Sequence, residues 1–327
     1  MPEQTVIEAV RDTMRAEMRR DELMILMGED VGKRGGVFLA TDGFIDEFGE
    51  DRVIDTPLAE SSICGVALGA AVNGMRPLAE IQFADFVWPA INQIVGEAAR
   101  VRYGTNGVKT APMTIRVPYG GGVRGGLYHS QSIEVLFAHT PGLSVVAPAT
   151  PYDAKGLLAS AVRSDDPVIV LEHKRTYRLV KGEVPTGDYT VPIGSAEIKR
   201  PGNDLTIVTY GLMLHYALQA AEAAAEQGID VEVLDLRTLR PLDSDAIVAS
   251  VSRTGKALIV QEDTPAVSIS SEVAAIIGEH CFFDLDGPIT RLGPPEIPPM
   301  PFSPVQEAAF MPSPEKILAA IAGLAEL

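Results

Sequence analysis

Two side chains, Glu60 and His129, are candidates for acid–base chemistry. Glu60 lies in the segment DTPLAESS (55–62), directly before an apolar stretch over residues 63–72 that predicts a buried helix. An acid at a helix N-terminus can simply stabilise the helix dipole, by a few tenths of a kcal/mol. If it is partly buried instead, desolvation raises its pKa above about 4.3. Such a carboxyl can share a proton with a ligand nitrogen, and the residues alone leave both interpretations open.

His129 follows a glycine cluster in VPYGGGVRGGLYHSQS (117–132) and precedes three polar residues that can orient an imidazole. An imidazole that titrates near neutral pH is suited to proton delivery, and the alternative is an ordinary loop histidine. Gly120, Gly122 and Gly125 fit the G-x-G-x-x-G pattern of nicotinamide enzymes. That pattern also requires an acidic residue at the end of the next strand, which here ends VAP (146–148). A loop whose glycines allow positive φ is the simpler interpretation.

Length and charge exclude several classes of protein. A chain of 327 residues predicts about two domains. With 27 basic against 44 acidic residues, the formal charge of −17 disfavours nucleic acid as a partner. The longest apolar stretch, residues 63–72, is about half a bilayer span, so we expect no membrane association. Cys64 and Cys281 form no metal or disulfide pattern, and the cytoplasm is the expected location.

Short apolar runs alternate with helical spacing and predict an α/β fold. Strands are expected at 23–27, 78–81, 113–117, 144–147 and 168–171, with helices at 88–101 and 151–162. This alternation is typical of a parallel sheet covered on both faces.

A second α/β domain is expected after a polar linker over residues 181–204. Its strands are predicted at 205–209, 231–234 and 257–260, and its helices at 213–227 and 314–324. Nine prolines lie between residues 288 and 314, so we expect neither helix nor sheet there. The predicted domains span residues 1–188 and 189–327.

Four segments together resemble the β subunit of the E1 component of 2-oxo acid dehydrogenase complexes. They are GEDVGKRGGVF (28–38), DTPLAESSICGVALGAAVNGMRPLAEIQFADF (55–86), PYGGGVRGGLYHSQSIEVLFAHTPGL (118–143) and TPYDAKGLL (150–158). The resemblance extends to DLRTLRPLD (235–243) in the second domain. It implies two transketolase-like domains: a thiamine pyrimidine-binding domain with a parallel sheet, followed by a smaller transketolase C-terminal α/β domain.

The resemblance also implies an activity. The chain would act with an α subunit in an α₂β₂ tetramer, in the thiamine diphosphate-dependent oxidative decarboxylation of pyruvate or a branched-chain 2-oxo acid. The acyl group then passes to the lipoyl group of E2, the lipoyl acyltransferase. An acetoin dehydrogenase β subunit is the alternative, a nicotinamide-dependent dehydrogenase using the 120–125 loop is a weaker one, and a subunit serving only assembly is a third.

The resemblance assigns roles to single residues. Glu60 matches the glutamate that hydrogen-bonds the aminopyrimidine ring nitrogen and favours the imino tautomer, which removes the thiazolium C2 proton. Phe86 matches the aromatic residue that stacks on the pyrimidine, and Leu58 and Gln82 match neighbouring cofactor contacts. His129 matches the histidine of proton transfer and of acyl transfer to lipoamide.

The resemblance also implies metal ions. Mg²⁺ and the diphosphate would be held by the α subunit, because this sequence has no motif for them. A structural potassium ion would be bound mainly by backbone carbonyls at Met113, Ala161, Val162, Ser164 and Asp166. Ser164 and Asp166 replace the Asp and Asn more usual in the family.

Overall fold

The computed structural model describes residues 1–327, which form two compact units. The N-terminal unit comprises residues 1–119 and 136–193, and the C-terminal unit comprises residues 120–135 and 194–327. The glycine loop therefore belongs to the C-terminal unit, although in sequence it interrupts the N-terminal one. No change in amino-acid composition marks the points where the chain passes from one unit to the other, because these points are set by contacts between residues distant in sequence.

The N-terminal unit is built on a parallel sheet, as predicted. Its strands are β2 (Met24–Glu29), β3 (Val53–Thr56), β4 (Arg76–Glu80), β5 (Thr114–Tyr119), β6 (Ser144–Val146) and β7 (Val168–His173). Within the unit they are ordered β6-β7-β5-β4-β2-β3, and every pair is parallel. A separate antiparallel ribbon pairs β1 (Glu3–Thr5) with β8 (Lys181–Glu183).

Helices cover this sheet and have local sequence causes. They are α1 (Val6–Arg20), α2 (Phe44–Phe48), α3 (Glu60–Val72), α4 (Val101–Gly104), α6 (Pro151–Arg163) and α7 (Thr176–Leu179), while α5 (Glu134–Ala138) runs across the boundary at residue 135. Thr5 and Glu8 form a capping box at the start of α1. Thr150 caps α6. The first residue of α6 is Pro151, and its missing backbone N–H costs nothing because an N–H at that position has no partner within the helix. The two helices pack together over a core that includes Met14.

The predicted helix over 88–101 is wrong in type. The segment forms a 3₁₀ turn at Trp88–Ala90, a π-helical turn at Asn92–Glu97 and a second 3₁₀ turn at Ala98–Arg100 before α4 begins. Pro89 and Gly96 both lower the propensity for a regular α-helix. The apolar spacing located the helical segment but not its irregular winding.

The C-terminal unit has a five-stranded sheet ordered β14-β13-β10-β11-β9. Its strands are β9 (Glu197–Arg200), β10 (Leu205–Thr209), β11 (Val231–Asp235), β13 (Ala257–Val260) and β14 (Thr290–Leu292), with β12 (Thr238–Arg240) outside this order. Only β9 is antiparallel. The helices are α8 (Leu212–Ala225), α9 (Ser244–Thr254), α10 (Ile269–His280), α11 (Pro304–Phe310) and α12 (Pro314–Ala325).

The polar stretch 181–204 contains β8 of the N-terminal unit and β9 of this one, and the chain passes between the units at residues 193–194, within that stretch. One expectation for this unit is wrong: the proline-rich stretch 288–314 contains β14 and α11. Pro304 stands at the first position of α11, where a missing N–H costs nothing. β14 uses three residues between Pro288 and Pro294, so no proline removes one of its hydrogen bonds. None of the helices in the structure combines the length and the apolar character that crossing a bilayer requires.

Candidate active site

Acidic side chains gather at the carboxyl ends of the parallel strands in the N-terminal unit. Glu29 ends β2 and Glu80 ends β4, while Glu60 begins α3 four residues after β3. In an open parallel sheet the carboxyl ends of the strands share one edge, and ligands bind there. The connection after β2 runs to β3 on one side and that after β4 to β5 on the other. The crevice between β2 and β4 is therefore the expected binding place.

Glu60 is a buried carboxyl with no protein partner. Its side chain is only 6% exposed, and the carboxyl forms no hydrogen bond or ion pair within the chain. It occupies the first turn of α3, where the helix dipole favours a negative charge. Its carboxyl oxygens therefore have no partner within the chain and are available to a ligand that brings a hydrogen-bond donor.

The surroundings of Glu60 are negative. Burial, together with the charge of Glu60, raises the pKa of the Cys64 thiol to about 12. Cys64 is therefore a neutral thiol and not a nucleophile. The pKa of Glu29 is also raised, first by burial and then by its neighbours Asp30 and Glu60. This field favours a ligand group that brings a proton or a positive charge.

The loop after β4 carries two further predicted site residues. Gln82 and Phe86 are half-buried, and Phe86 closes a 3₁₀ turn that begins at Ala84. The Phe86 ring lies edge-on to that of Phe83, with centroids 5.8 Å apart. The segment that follows packs against α3, so this loop and Glu60 lie in one region of the unit. Leu58, just before α3, is 68% exposed and presents an apolar surface to solvent.

A buried ionic network fixes the end of β4. The Arg116 guanidinium donates to both Glu172 oxygens, at 2.7 and 2.6 Å, and to Glu80 Oε2 at 2.5 Å. Tyr177 Oη adds a 2.6 Å bond to Glu172 Oε2. All of these side chains are almost fully buried, and burial raises the pKa of Glu80. Sequence reasoning missed this network, although charged residues inside apolar strands were a visible signal.

An aromatic row connects the network to Phe86. Tyr177 and Phe38 have ring centroids 5.0 Å apart, and Phe38 and Phe83 are 5.6 Å apart. Phe83 then contacts Phe86 as described above, and Lys174 Nζ lies 5.7 Å from the Phe83 ring centroid. The side chain predicted to stack on a ligand thus rests on a continuous set of packed rings.

His129 lies in the C-terminal unit and is half-buried. Its loop is closed by the Gly120 N–H, which donates to the Gln131 carbonyl at 3.0 Å. The residues that follow His129, 130–132, line a cavity of about 450 Å³. Glu262, Asp263 and Glu296 contribute to the same wall, so the cavity next to the loop is acidic.

Glu134 is a second buried acid that sequence reasoning missed. Its side chain is fully buried, Oε1 accepts a 2.7 Å bond from Tyr210 Oη, and Oε2 has no partner. Burial, reinforced by the charge of Asp263, raises the pKa of Glu134 from 4.5 to about 8. Burial also raises the pKa of Asp263 to about 6, with a contribution from Glu262. Glu134 comes two residues after the polar run HSQS (129–132), and this sequence context gives no periodic signal of burial.

Replacing Glu134 by glutamine is expected to stabilise the protein at alkaline pH. Because the folded-state pKa lies above the unfolded one, the wild type loses stability as pH rises from about 4.5 to about 8. Glutamine keeps an oxygen for Tyr210 and has no proton to lose. We expect the variant to gain on the order of a few kcal/mol over the wild type between pH 5 and pH 9.

Urea denaturation at several pH values measures this difference. Glu279→Gln, which changes an exposed glutamate, is the control and is expected to follow the wild type. A Glu134→Gln variant whose stability runs parallel to the wild type at every pH would contradict the burial of this proton.

The predicted potassium positions meet at one corner of the N-terminal unit. The Met113 carbonyl accepts from the Val168 N–H at 3.0 Å, and the Ala161 carbonyl from the Ser164 N–H at 3.1 Å. Arg76 Nη1 donates to the carbonyls of Val162, at 3.3 Å, and Ser164, at 2.8 Å.

The one side chain among those positions that could be anionic, Asp166, is paired with Arg102 at 2.6 Å. A carbonyl that accepts one hydrogen bond keeps a second lone pair, so the donor set retains capacity for a cation. No group of three or more His, Cys, Asp or Glu side chains is arranged to hold a metal ion.

Two domain families match the chain. Residues 3–180 match the family "Transketolase, pyrimidine binding domain", and residues 194–317 match "Transketolase, C-terminal domain". A solved structure, described as "Split gene transketolase, inactive beta4 tetramer", is similar with a TM-score of 0.79. The similarity covers 99% of this chain and 98% of that one at 22% identity, which supports the fold alone. The predicted fold class is confirmed.

Relatives with known assignments are similar over nearly the whole chain. The 2-oxoisovalerate dehydrogenase subunit beta of Bacillus subtilis (strain 168) is 59% identical over 320 residues, which are 98% of either protein. The pyruvate dehydrogenase E1 component subunit beta of the same strain is 48% identical over 318 residues, 97% of either protein. With both domains in place and identity of this extent, the chain belongs to the β subunits of the E1 component of 2-oxo acid dehydrogenase complexes.

Proposed function

We propose that this chain, with an α subunit, catalyses the thiamine diphosphate-dependent oxidative decarboxylation of a 2-oxo acid and the reductive acylation of an E2 lipoyl group. The observation that carries the proposal is Glu60, a carboxyl 6% exposed without a protein partner at the carboxyl edge of the sheet. A nitrogen heterocycle is the kind of ligand that such a carboxyl would bind by sharing a proton.

The residues present fit the pyrimidine end of thiamine diphosphate. Glu60 would hold a proton toward a ring nitrogen, and Phe86 would stack on the ring, supported by Phe83. Gln82 would contribute a polar contact and Leu58 an apolar one. When bound, the cofactor supplies a thiazolium carbon acid that becomes the nucleophile toward the keto carbon. The part of Glu60 is to share a proton with the ring nitrogen, in a site where Glu29 adds a second acidic side chain.

His129 is proposed to move a proton during acyl transfer to the lipoyl group. Its half-buried position in a closed loop beside an acidic cavity leaves it accessible to a substrate arm. Imidazole is suited to this step because it takes and releases protons near neutral pH.

The remaining partners follow from the family. We propose an α₂β₂ tetramer in which the α subunit holds Mg²⁺ and the diphosphate. The proposed location is the cytoplasm, where the free, buried Cys64 and Cys281 stay reduced. Among substrates, branched-chain 2-oxo acids are favoured over pyruvate, because identity is 59% to the 2-oxoisovalerate relative and 48% to the pyruvate relative.

The direct test is an assay of the co-purified αβ pair against several 2-oxo acids. An artificial electron acceptor reports decarboxylation, and a lipoyl domain reports acyl transfer. We expect activity with branched-chain 2-oxo acids to exceed that with pyruvate. A pair that turns over no 2-oxo acid in the presence of thiamine diphosphate and Mg²⁺ would overturn the proposal.

Replacing His129 by alanine is expected to reduce acyl transfer to the lipoyl domain by about 100-fold or more, because a positioned acid–base group contributes about that much. Decarboxylation with the artificial acceptor is expected to fall less. The ratio of the two rates is the measurement, and His139→Ala, which changes an exposed histidine, is the control. Normal flux to the lipoyl domain would remove His129 from the site.

Potassium is proposed to bind the carbonyl cluster at Met113, Ala161, Val162 and Ser164, next to Asp166. Binding to the folded state alone stabilises it, by about 1.4 kcal/mol at a tenfold excess over Kd. The melting temperature of the αβ pair is therefore expected to be higher in potassium chloride than in tetramethylammonium chloride at equal ionic strength. Equal melting temperatures would contradict a potassium site.

A further inference from the structure

The loop that carries His129 has an unusual backbone. Within the glycine loop, residues 120–131, φ is positive at Gly120, Gly122, Arg124 and Gly126. Alternation of this kind turns neighbouring N–H groups inward and forms a concave site for an anion. Two carboxylates accept hydrogen bonds from N–H groups of this loop. Gly121 donates to Glu262 Oε1 at 2.6 Å, while Gly122 and Arg124 donate to Glu307 Oε1 at 3.1 and 3.0 Å.

The helix α11, which carries Glu307, has no buried apolar side chain. Glu307 is 6% exposed and is the one buried residue of α11, whereas Val305 is 80% exposed. A surface helix is ordinarily held by an apolar stripe. α11 instead turns a carboxylate inward, which is unfavourable unless the charge is hydrogen-bonded. The two loop N–H groups provide those charge-assisted bonds.

The chain before α11 contacts the same loop. A Cβ on Gly121 would collide with Met300 Sδ, and one on Gly126 would lie 2.9 Å from Phe302 Cδ2. These two glycines therefore accommodate a segment of the chain itself. Both belong to the glycine cluster but are not among the three glycines, at 120, 122 and 125, that fit the nicotinamide pattern.

The contacts of Glu307 lead directly to His129. Gly125 follows Arg124, and a Cβ on it would collide with the His129 carbonyl oxygen. The loop is thus folded tightly between the residues held by Glu307 and His129 itself. We propose that Glu307 is a positioning residue that holds the glycine loop, and with it His129, in the conformation used for acyl transfer. This inference rests on the proposed role of His129.

Four variants of the αβ pair test the inference. Glu307→Ala removes the acceptor, and Glu307→Asp withdraws it by one methylene while keeping the charge. Glu307→Gln keeps an acceptor oxygen at the same reach, and Gln306→Ala changes an exposed neighbour as the control. Hydrogen exchange of peptides covering residues 120–126 is expected to be at least about tenfold faster in the Ala and Asp variants. It is expected to stay close to wild type in the other two.

Activity gives the second readout. Transfer to a lipoyl domain is expected to fall at least about tenfold in Glu307→Ala and Glu307→Asp, with KM for the 2-oxo acid little changed. Glutamine is expected to restore most of the rate. In a His129→Ala background, Glu307→Ala is expected to add little, because both changes remove the same group from its place.

Unchanged exchange in both the Ala and Asp variants would overturn the inference, as would faster exchange with normal acyl transfer. Fully additive losses with His129→Ala would do so too. Failure of the proposed function is distinguishable, because it leaves a wild-type pair without 2-oxo acid-dependent activity while the exchange measurement still reports on the loop.

Discussion

Glu60→Gln is expected to lower turnover of the assembled enzyme by at least about 100-fold, the usual contribution of a positioned proton-sharing group. Glutamine has nearly the same shape but cannot share a proton with a ring nitrogen. Because Glu60 makes no hydrogen bond or ion pair within the chain, the change breaks no protein contact. The variant should therefore keep its fold and its tetramer.

The melting temperature of the Glu60→Gln variant is a second, independent measurement for this prediction. Glutamine removes the negative charge that Glu60 places near Glu29, so the melting temperature is expected to stay level or rise. Turnover is measured with the artificial acceptor, assembly by sedimentation, and Glu50→Gln, at an exposed glutamate, is the matched control. A Glu60→Gln enzyme with nearly wild-type turnover would show that this carboxyl does not share a proton in the reaction.

Arg116→Met is expected to destabilise the protein by about 3–5 kcal/mol, which is the usual cost of removing one partner from a buried ion pair. Methionine fills much of the volume but leaves Glu80 and Glu172 facing each other without a cation. In a chain of this length we expect the melting temperature to fall by about 4–7 °C. The loss should shrink at acidic pH, where the two carboxyls can take up protons.

The control for this prediction is a second arginine in an ion pair of similar length. Arg102 and Asp166 are 2.6 Å apart but are 47% and 43% exposed, so Arg102→Met is expected to change the melting temperature by less than about 2 °C. The triple variant Glu80→Gln, Arg116→Met, Glu172→Gln is expected to recover much of the loss, since no buried charge remains unpaired. Equal effects of the two arginine changes would show that burial does not govern the strength of this network.

Strands and ordinary helices of this protein were predictable from local pattern. β10 and β13 were predicted with the bounds they have, because buried strands of a parallel sheet are short apolar runs between turn residues. The irregular helical winding of residues 88–104 and the presence of α11 were not predictable from local pattern. The reason is that Pro and Gly have different effects at different positions of a helix. Local pattern therefore succeeds where one physical rule dominates.

The sequence by itself determined the α/β class, the family, and Glu60 and His129 as candidate groups, because residue type and order are enough for these. Tertiary structure alone decided that Glu60 is buried without a partner, and that Arg116 holds two acids in the core. It also decided that the glycine loop joins the C-terminal unit and is held by Glu307. These contacts join residues that are 36 to 185 positions apart in the sequence. Desolvation and hydrogen bonding between residues so far apart produce no periodic pattern in the sequence from which they could be predicted.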